Sequence, residues 1–198
     1  MKTNVQNRFQ AGFSLLELMI VVAVGLVVTA IGMPRMTTAI ANMKLRASMT
    51  SVSSLLQNCR MVAVQQNKTK VALTFNRTAA PYSLVYYVKD AGGSTTLATH
   101  DPQVEMEAPI DPYTTPSGTN APSAISVTTL GFTPLTGNPS FNSRGLPCAY
   151  ASGVCSTGGF IKYFKDNRIT GQGGWAAISI SGAGRIKRWF WNGSSWID

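Results

Sequence analysis

The sequence predicts an α+β protein in which one long N-terminal helix packs on a C-terminal antiparallel β-sheet head. An apolar run fills residues 13–33 and contains a single charge, Glu17. An apolar stripe with helical spacing continues to about residue 66, and short β-rich segments divided by Gly, Pro, Asn and Ser follow it. The expected parts are a leader at 1–12, a transmembrane helix at 13–34, an amphipathic helix at 35–67 and a β-rich head at 68–198.

The apolar run is long enough to span a membrane, because about 20 apolar residues cross the hydrocarbon core as a helix. A polar leader with Lys2, Arg8 and no acid precedes the run. These two cations predict a cytoplasmic N-terminus, with the rest of the chain across the membrane. A lone carboxylate in an apolar span is costly in lipid, so Glu17 is a candidate functional residue.

The N-terminal segment resembles the signal of type IV prepilins and type II secretion pseudopilins. The matching residues are Gly12, Phe13, Ser14, Leu15, Glu17 and Pro34. The resemblance implies a bacterial inner-membrane protein that prepilin peptidase cleaves after Gly12 and methylates on Phe13. It also implies that Glu17 guides assembly with other pilin or pseudopilin subunits into a filament. A plain membrane anchor is the alternative, but it leaves this register of residues unexplained.

The second half of the predicted helix has one apolar face. Its residues are spaced 4, 3, 4, 3 and 4 apart, as one face of a helix requires: Leu45, Met49, Val52, Leu56, Cys59 and Ala63. This pattern predicts a helix that is laid against the head and ends near Gln66, with Asn67 as its C-cap. Cys59 lies on the apolar face, so we expect a buried free thiol.

The head is expected to be antiparallel, since no helical pattern separates its β-rich segments. The predicted strands are 71–75, 82–88, 125–130, 159–164, 176–180 and 186–191. The segment 90–122 holds five acids and no Lys or Arg, and its Thr, Pro, Ala and Gly content favours a long surface loop. Cys148 and Cys155 lie in another loop-like segment, where they form either a disulfide or two reduced thiols.

No pattern for catalysis or for a cofactor stands out, and we expect no enzymatic activity. His100 is the single histidine, and it lies next to Asp101 in the acidic segment 90–122. A surface charge pair with Asp101 is therefore a simpler interpretation than a general base. There is no phosphate-binding loop and no serine in a nucleophile motif. A zinc site is not expected either, because no second cysteine pair completes a ligand set.

Charge is unevenly distributed along the chain. The formal charge is +9, or +7 once Lys2 and Arg8 leave with the leader. Residues 141–198 carry only Asp166 and Asp198 as acids. Their bases are Arg144, Lys162, Lys165, Arg168, Arg185, Lys187 and Arg188. Such a basic part is typical of a polyanion partner such as a nucleic acid, although a solvated strand face shows the same pattern.

The tryptophans near this basic part allow two interpretations. Trp189, Trp191 and Trp196 follow its densest cluster closely in sequence. Exposed, they would stack on bases or on an arginine plane. Buried, they would fill the core of the head.

Two segments of the head are similar to the GspH/FimT family of minor pilins and pseudopilins. These are the turn at 141–147 and the strand–turn–strand at 178–188. FimT-type minor pilins of competent bacteria bind DNA through a Gly-Arg-x-Arg motif, and here Lys187 replaces the second arginine and Arg188 follows it. The resemblance implies a type IV minor pilin that binds DNA for natural transformation. The alternatives are an H-type pseudopilin of a type II secretion system and an assembly-priming minor pilin, neither with a DNA role.

Overall fold

The computed structural model describes residues 14–76, 84–106 and 110–198, except for the side chains of 32–35, 75 and 76. The processing site at Gly12 and Phe13 lies outside the described residues. The chain divides into two compact units, Met1–Ala39 and Ile40–Asp198. Helix α1, Leu15–Gln65, contributes to both units, and the long predicted helix is thereby confirmed.

In the first unit, α1 is long and apolar enough to cross a membrane. Its apolar side chains up to Ile31 are exposed, so no part of this unit covers them. Glu17 is also exposed and lies in the first turn of the helix. These are the properties that the sequence predicts for a membrane-anchoring segment.

In the second unit, α1 buries the predicted apolar stripe. Met49, Cys59 and Ala63 are fully buried, and Leu45, Val52 and Leu56 nearly so. The helix ends at Gln65, and the chain turns away at Asn67, whose φ of 50° is left-handed. Two hydrogen bonds close the end, from Asn67 N to Val64 O (3.2 Å) and from Lys68 N to Ala63 O (3.1 Å). This is a Schellman arrangement, and it confirms Asn67 as the C-terminal cap.

Eleven strands form two antiparallel sheets within the described residues. They are β1 Lys70–Asn76, β2 Leu84–Asp90, β3 Gln103–Met106, β4 Ile110–Tyr113, β5 Ser140–Phe141, β6 Pro147–Ala151, β7 Val154–Thr157, β8 Phe160–Asp166, β9 Trp175–Ile180, β10 Ile186–Trp191 and β11 Trp196–Ile197. The first sheet has the order β3-β2-β1-β5-β6-β7, and the second has the order β11-β10-β9-β8-β4. The antiparallel head is therefore confirmed.

Helix α1 and both sheets share one hydrophobic core. Tyr86 and Phe141 enter it from the first sheet, and Phe160 and Phe164 enter it from the second. A second cluster covers the opposite face of the second sheet, where Ile125 packs with Tyr163, Trp175, Ala177 and Trp189. The second sheet is thus buried on both faces along β9, whose six residues are all buried.

Two sequence-based expectations about this head are wrong. The segment at 125–130 is not a strand but ends in a short helix, α2, Val127–Leu130. Ser126 caps α2 by accepting a hydrogen bond from Thr129 N (3.1 Å), and Gly131 ends it at a φ of 76°. The segment at 90–122 is not one long loop, because it contains β3 and β4. These strands pair with β2 and β8, so contacts distant in sequence outweigh their local composition.

Replacing Met49 with Ala should destabilise the head by about 2–5 kcal/mol, because it leaves a cavity under both sheets. Met61 is the matched control, since it lies on the same helix but is 63% exposed, against 0% for Met49. Met61→Ala should change the free energy of unfolding by no more than about 0.5 kcal/mol. Urea unfolding of the detergent-solubilised protein measures both, and equal effects would contradict the packing described.

Candidate functional site

A basic groove lies between α1 and β10. Arg46 and Thr50 line it from the helix. From the sheet it is lined by Arg185, Ile186, Lys187, Arg188, Phe190 and Asp198, and its volume is about 380 Å³. Among the described strands, β11 pairs only with the end of β10, so residues 186–189 have β9 on one side and an open edge on the other.

Side-chain alternation along β10 distributes the three predicted cations. Arg188 points toward α1, where its Nη1 donates to Thr50 Oγ1 (2.8 Å). Lys187 points to the other face, with its Nζ 5.0 Å from the ring centre of Trp189. Arg185 belongs to the preceding turn and is exposed. The three cations therefore surround the open edge of β10 rather than sharing one face.

Asp198 adds one negative charge to the groove. Its carboxylate accepts a hydrogen bond from Lys187 Nζ. This bond holds the pKa of Asp198 below its usual value, and the charges of Lys187 and Arg185 act in the same direction. The groove thus combines four cations with one carboxylate that is charged at neutral pH.

Two glycine turns meet on Arg60 of α1. Gly145 follows Arg144 in the β5–β6 turn, and Gly184 precedes Arg185 in the β9–β10 turn. Their φ values are +74° and +83°, which favour glycine. A Cβ on either residue would lie 3.1 Å from the Arg60 side chain, and Arg60 Nη1 donates to Gly184 O at 3.4 Å. The β5–β6 turn and the β9–β10 turn are therefore both packed against one helix arginine.

Lys165 near the end of β8 and Arg168 in the β8–β9 loop lie at the end of the second sheet opposite the Gly184 turn. Lys165 Nζ donates to the carbonyl oxygens of Ile169 (3.2 Å) and Gly171 (3.3 Å). Arg168 binds Asp166 through two nitrogens, with Nε–Oδ1 at 3.0 Å and Nη2–Oδ2 at 2.7 Å. Asp166 is fully buried, so these two cations hold the β8–β9 loop.

Lys162 occupies the middle of β8 on the face toward α1. It lines a small cavity with Val52 and Leu56, and burial lowers the pKa of its ammonium group. Lys162 and Arg188 are both register partners of Ile178, so they lie two strands apart. The structure therefore groups Arg185, Lys187 and Arg188 at the groove and leaves Lys162 partly inside the head.

Of the tryptophans near the basic cluster, Trp189 belongs to the second core cluster, and Trp191 and Trp196 are half-buried against it. Trp189 is buried, and its Nε1 donates to Ser179 Oγ (2.8 Å). Trp196 donates to Ser123 O (2.8 Å) and packs edge-on against Trp191 at 5.6 Å. These contacts favour the interpretation that the tryptophans fill the core of the head over the interpretation that they stack on bases.

The three cysteines occupy two different environments. Cys148 and Cys155 lie on β6 and β7 of one hairpin, not in a loop as the sequence suggested, and their sulfur atoms are joined. Cys59 is a free thiol in the shared core, and burial raises its pKa to about 12. Among the described residues, no group of His, Cys, Asp and Glu could hold a metal ion.

Two arginines of α1, one in the groove and one beside it, lie far from the basic motif in sequence, and sequence reasoning did not single them out. Arg46 stands over the Phe190 ring at 4.5 Å, and Arg60 contacts the turn at Gly184. Both appear in the sequence as ordinary polar positions of an amphipathic helix. Only the packing of α1 against the sheets brings them to β10.

Residues 7–33 match the prokaryotic N-terminal methylation motif. This match supports a type IV pilin-like or pseudopilin protein, which is a structural subunit that assembles with other pilin subunits after prepilin peptidase processing. No curated protein and no solved structure matches the chain significantly.

The number of cysteines that an alkylating reagent labels should differ between the native, the denatured and the denatured, reduced protein. The native protein should label at no cysteine, because Cys59 is buried and the other two are linked. The denatured, unreduced protein should label once, and the denatured, reduced protein three times. Intact-mass measurement gives the counts, and Cys59→Ser should abolish the single label. Three labels without reductant would show that Cys148 and Cys155 are not linked.

Proposed function

We propose that this protein is a minor pilin of a type IV pilus, of the GspH/FimT type, and that it captures double-stranded DNA for natural transformation. The observation that carries the DNA role is the groove between α1 and β10, where Arg185, Lys187 and Arg188 meet a cation from the helix. The methylation motif supports the pilin class. The head is periplasmic before it enters the filament.

Capture proceeds through the phosphate backbone. Arginine presents a planar fork that binds phosphate oxygens in pairs, whereas lysine acts as a point charge. Arg185 and Arg188 are exposed at the groove, so each can contact a phosphate. Of the tryptophans that could have stacked on bases, Trp189 is buried in the second core cluster, and Trp191 and Trp196 pack against that cluster. The groove therefore favours binding without sequence preference, and its affinity falls as salt rises.

Assembly uses the other end of the chain. Prepilin peptidase removes residues 1–12 and methylates Phe13, and the positive amine of one subunit is then countered by Glu17 of a neighbour. Glu17 is exposed in the first turn of α1 and therefore open to such a partner. The exposed apolar residues around it enter the inner membrane first and the filament afterwards.

A salt series of DNA binding tests the proposed role. The full-length protein in detergent should bind a fluorescent 24-base-pair duplex at 50 mM salt and much less at 200 mM. Changing Arg185, Lys187 and Arg188 together to Gln removes three phosphate contacts. The plot of log affinity against log salt has a negative slope, and losing these contacts should make that slope shallower by about 2.7.

Lys68→Gln serves as the charge control for this series. Lys68 is 64% exposed and lies beside Asp90, away from the groove. This variant should retain the wild-type slope. If the wild-type protein does not bind the duplex at low salt, the DNA role is wrong. The remaining candidates are then an H-type pseudopilin and an assembly-priming minor pilin.

Processing is tested by the intact mass of the mature protein. Wild type should begin at methylated Phe13, whereas Gly12→Val should retain the leader. Gly25→Val is the control for the substitution itself, because Gly25 lies in the adjoining apolar run with open space around it. This control should be processed normally, and a mature wild-type N-terminus elsewhere than Phe13 would refute the cleavage site.

A further inference from the structure

We propose that the DNA-binding surface extends from the groove along α1, and that Arg46 and Arg60 are further phosphate-binding residues. The ligand of this extended surface is the backbone of a DNA duplex lying along the helix. This inference rests on the proposed function and deepens it. It concerns two residues that precede the basic motif by more than a hundred positions in the sequence.

The two arginines lie on nearly the same side of α1. They are 14 residues apart. With 3.6 residues per turn and a rise of 1.5 Å per residue, this places them about 21 Å apart along the axis and about 40° apart around it. They therefore mark two ends of one strip on the helix surface.

Each arginine contacts one end of the same strand–turn unit. Arg46 stands 4.5 Å over the ring of Phe190, near the end of β10. Arg60 donates to Gly184 O, immediately before the start of β10. Arg188 lies between them, tied to Thr50 of α1 at 2.8 Å. Helix and strand thus form a seam with cations at both ends and in the middle.

The guanidinium groups at the ends of the seam retain free donors. An arginine has five N–H donors. Within the described part of the chain, Arg60 uses one of them on Gly184 O, and Arg46 is held through the face of its guanidinium over Phe190. Both side chains are exposed. Their contacts with the head position them without consuming the donors that a phosphate needs.

The chemistry of the seam favours a duplex over a single strand. The phosphates of one strand advance 3.4 Å along the duplex axis per base pair, so a strip of about 21 Å covers an axial length of about six base pairs. Single-strand sites add aromatic side chains on which bases stack. Here Trp189 is buried, and Trp191 and Trp196 pack on each other.

The test compares Arg46→Gln and Arg60→Gln with wild type, using the full-length protein in detergent and the 24-base-pair duplex. Each variant should weaken binding several-fold and lower the salt slope by about 0.9, the value for one phosphate contact. Arg46→Lys and Arg60→Lys retain the charge and should restore most of the slope. A purely structural role would change the unfolding midpoint without changing the slope.

Lys68→Gln provides the baseline, and a single-stranded 24-mer provides the second ligand. If Arg185→Gln lowers the slope but Arg46→Gln and Arg60→Gln match Lys68→Gln, the inference is wrong and the proposed function stands. If the wild-type protein binds no duplex, both are wrong. Tighter binding of the single strand than of the duplex would overturn the assignment of a duplex ligand.

Discussion

The packing of one helix face against two sheets is the constraint on which the rest of the head depends. Met49, Val52 and Leu56 fill the space between the sheets, and both sheets place aromatic side chains around them. A single core of this kind leaves the helix little freedom to slide or rotate. The polar residues of α1 are therefore held at defined positions relative to the strands beside them.

The basic groove is a product of that constraint. The turn at Gly184 and the strand that follows it carry the cations of the sequence motif, but α1 forms the other wall. Two sheets reach the helix through glycine turns that pack on Arg60. A change in the core would thus shift the cations of α1 against those of β10, because Ile186 and Phe190 of the groove pack against that core.

The sequence predicted the elements whose signal is local and periodic. The apolar stripe from Leu45 to Ala63, the Asn67 cap and β10 itself follow from spacing and from one residue's backbone preference. The short strands β3 and β4 were missed, because their pairing with β2 and β8 is a tertiary effect. Charge counting also grouped Lys165 and Arg168 with the basic cluster, whereas the strand register places them at the far end of the sheet. A count along the chain does not distinguish a cation that holds a loop from one that faces solvent.

The carboxylate of Asp198 gives the groove a property that its cations alone would not have. Lys187 already has an anionic partner, so an arriving phosphate exchanges one ion pair for another instead of creating a new one. Such an exchange releases little net free energy. The displaced carboxylate of Asp198 remains close enough to form its ion pair with Lys187 again. In the proposed DNA role, Lys187 therefore gives up a phosphate more easily than the arginines of the groove do.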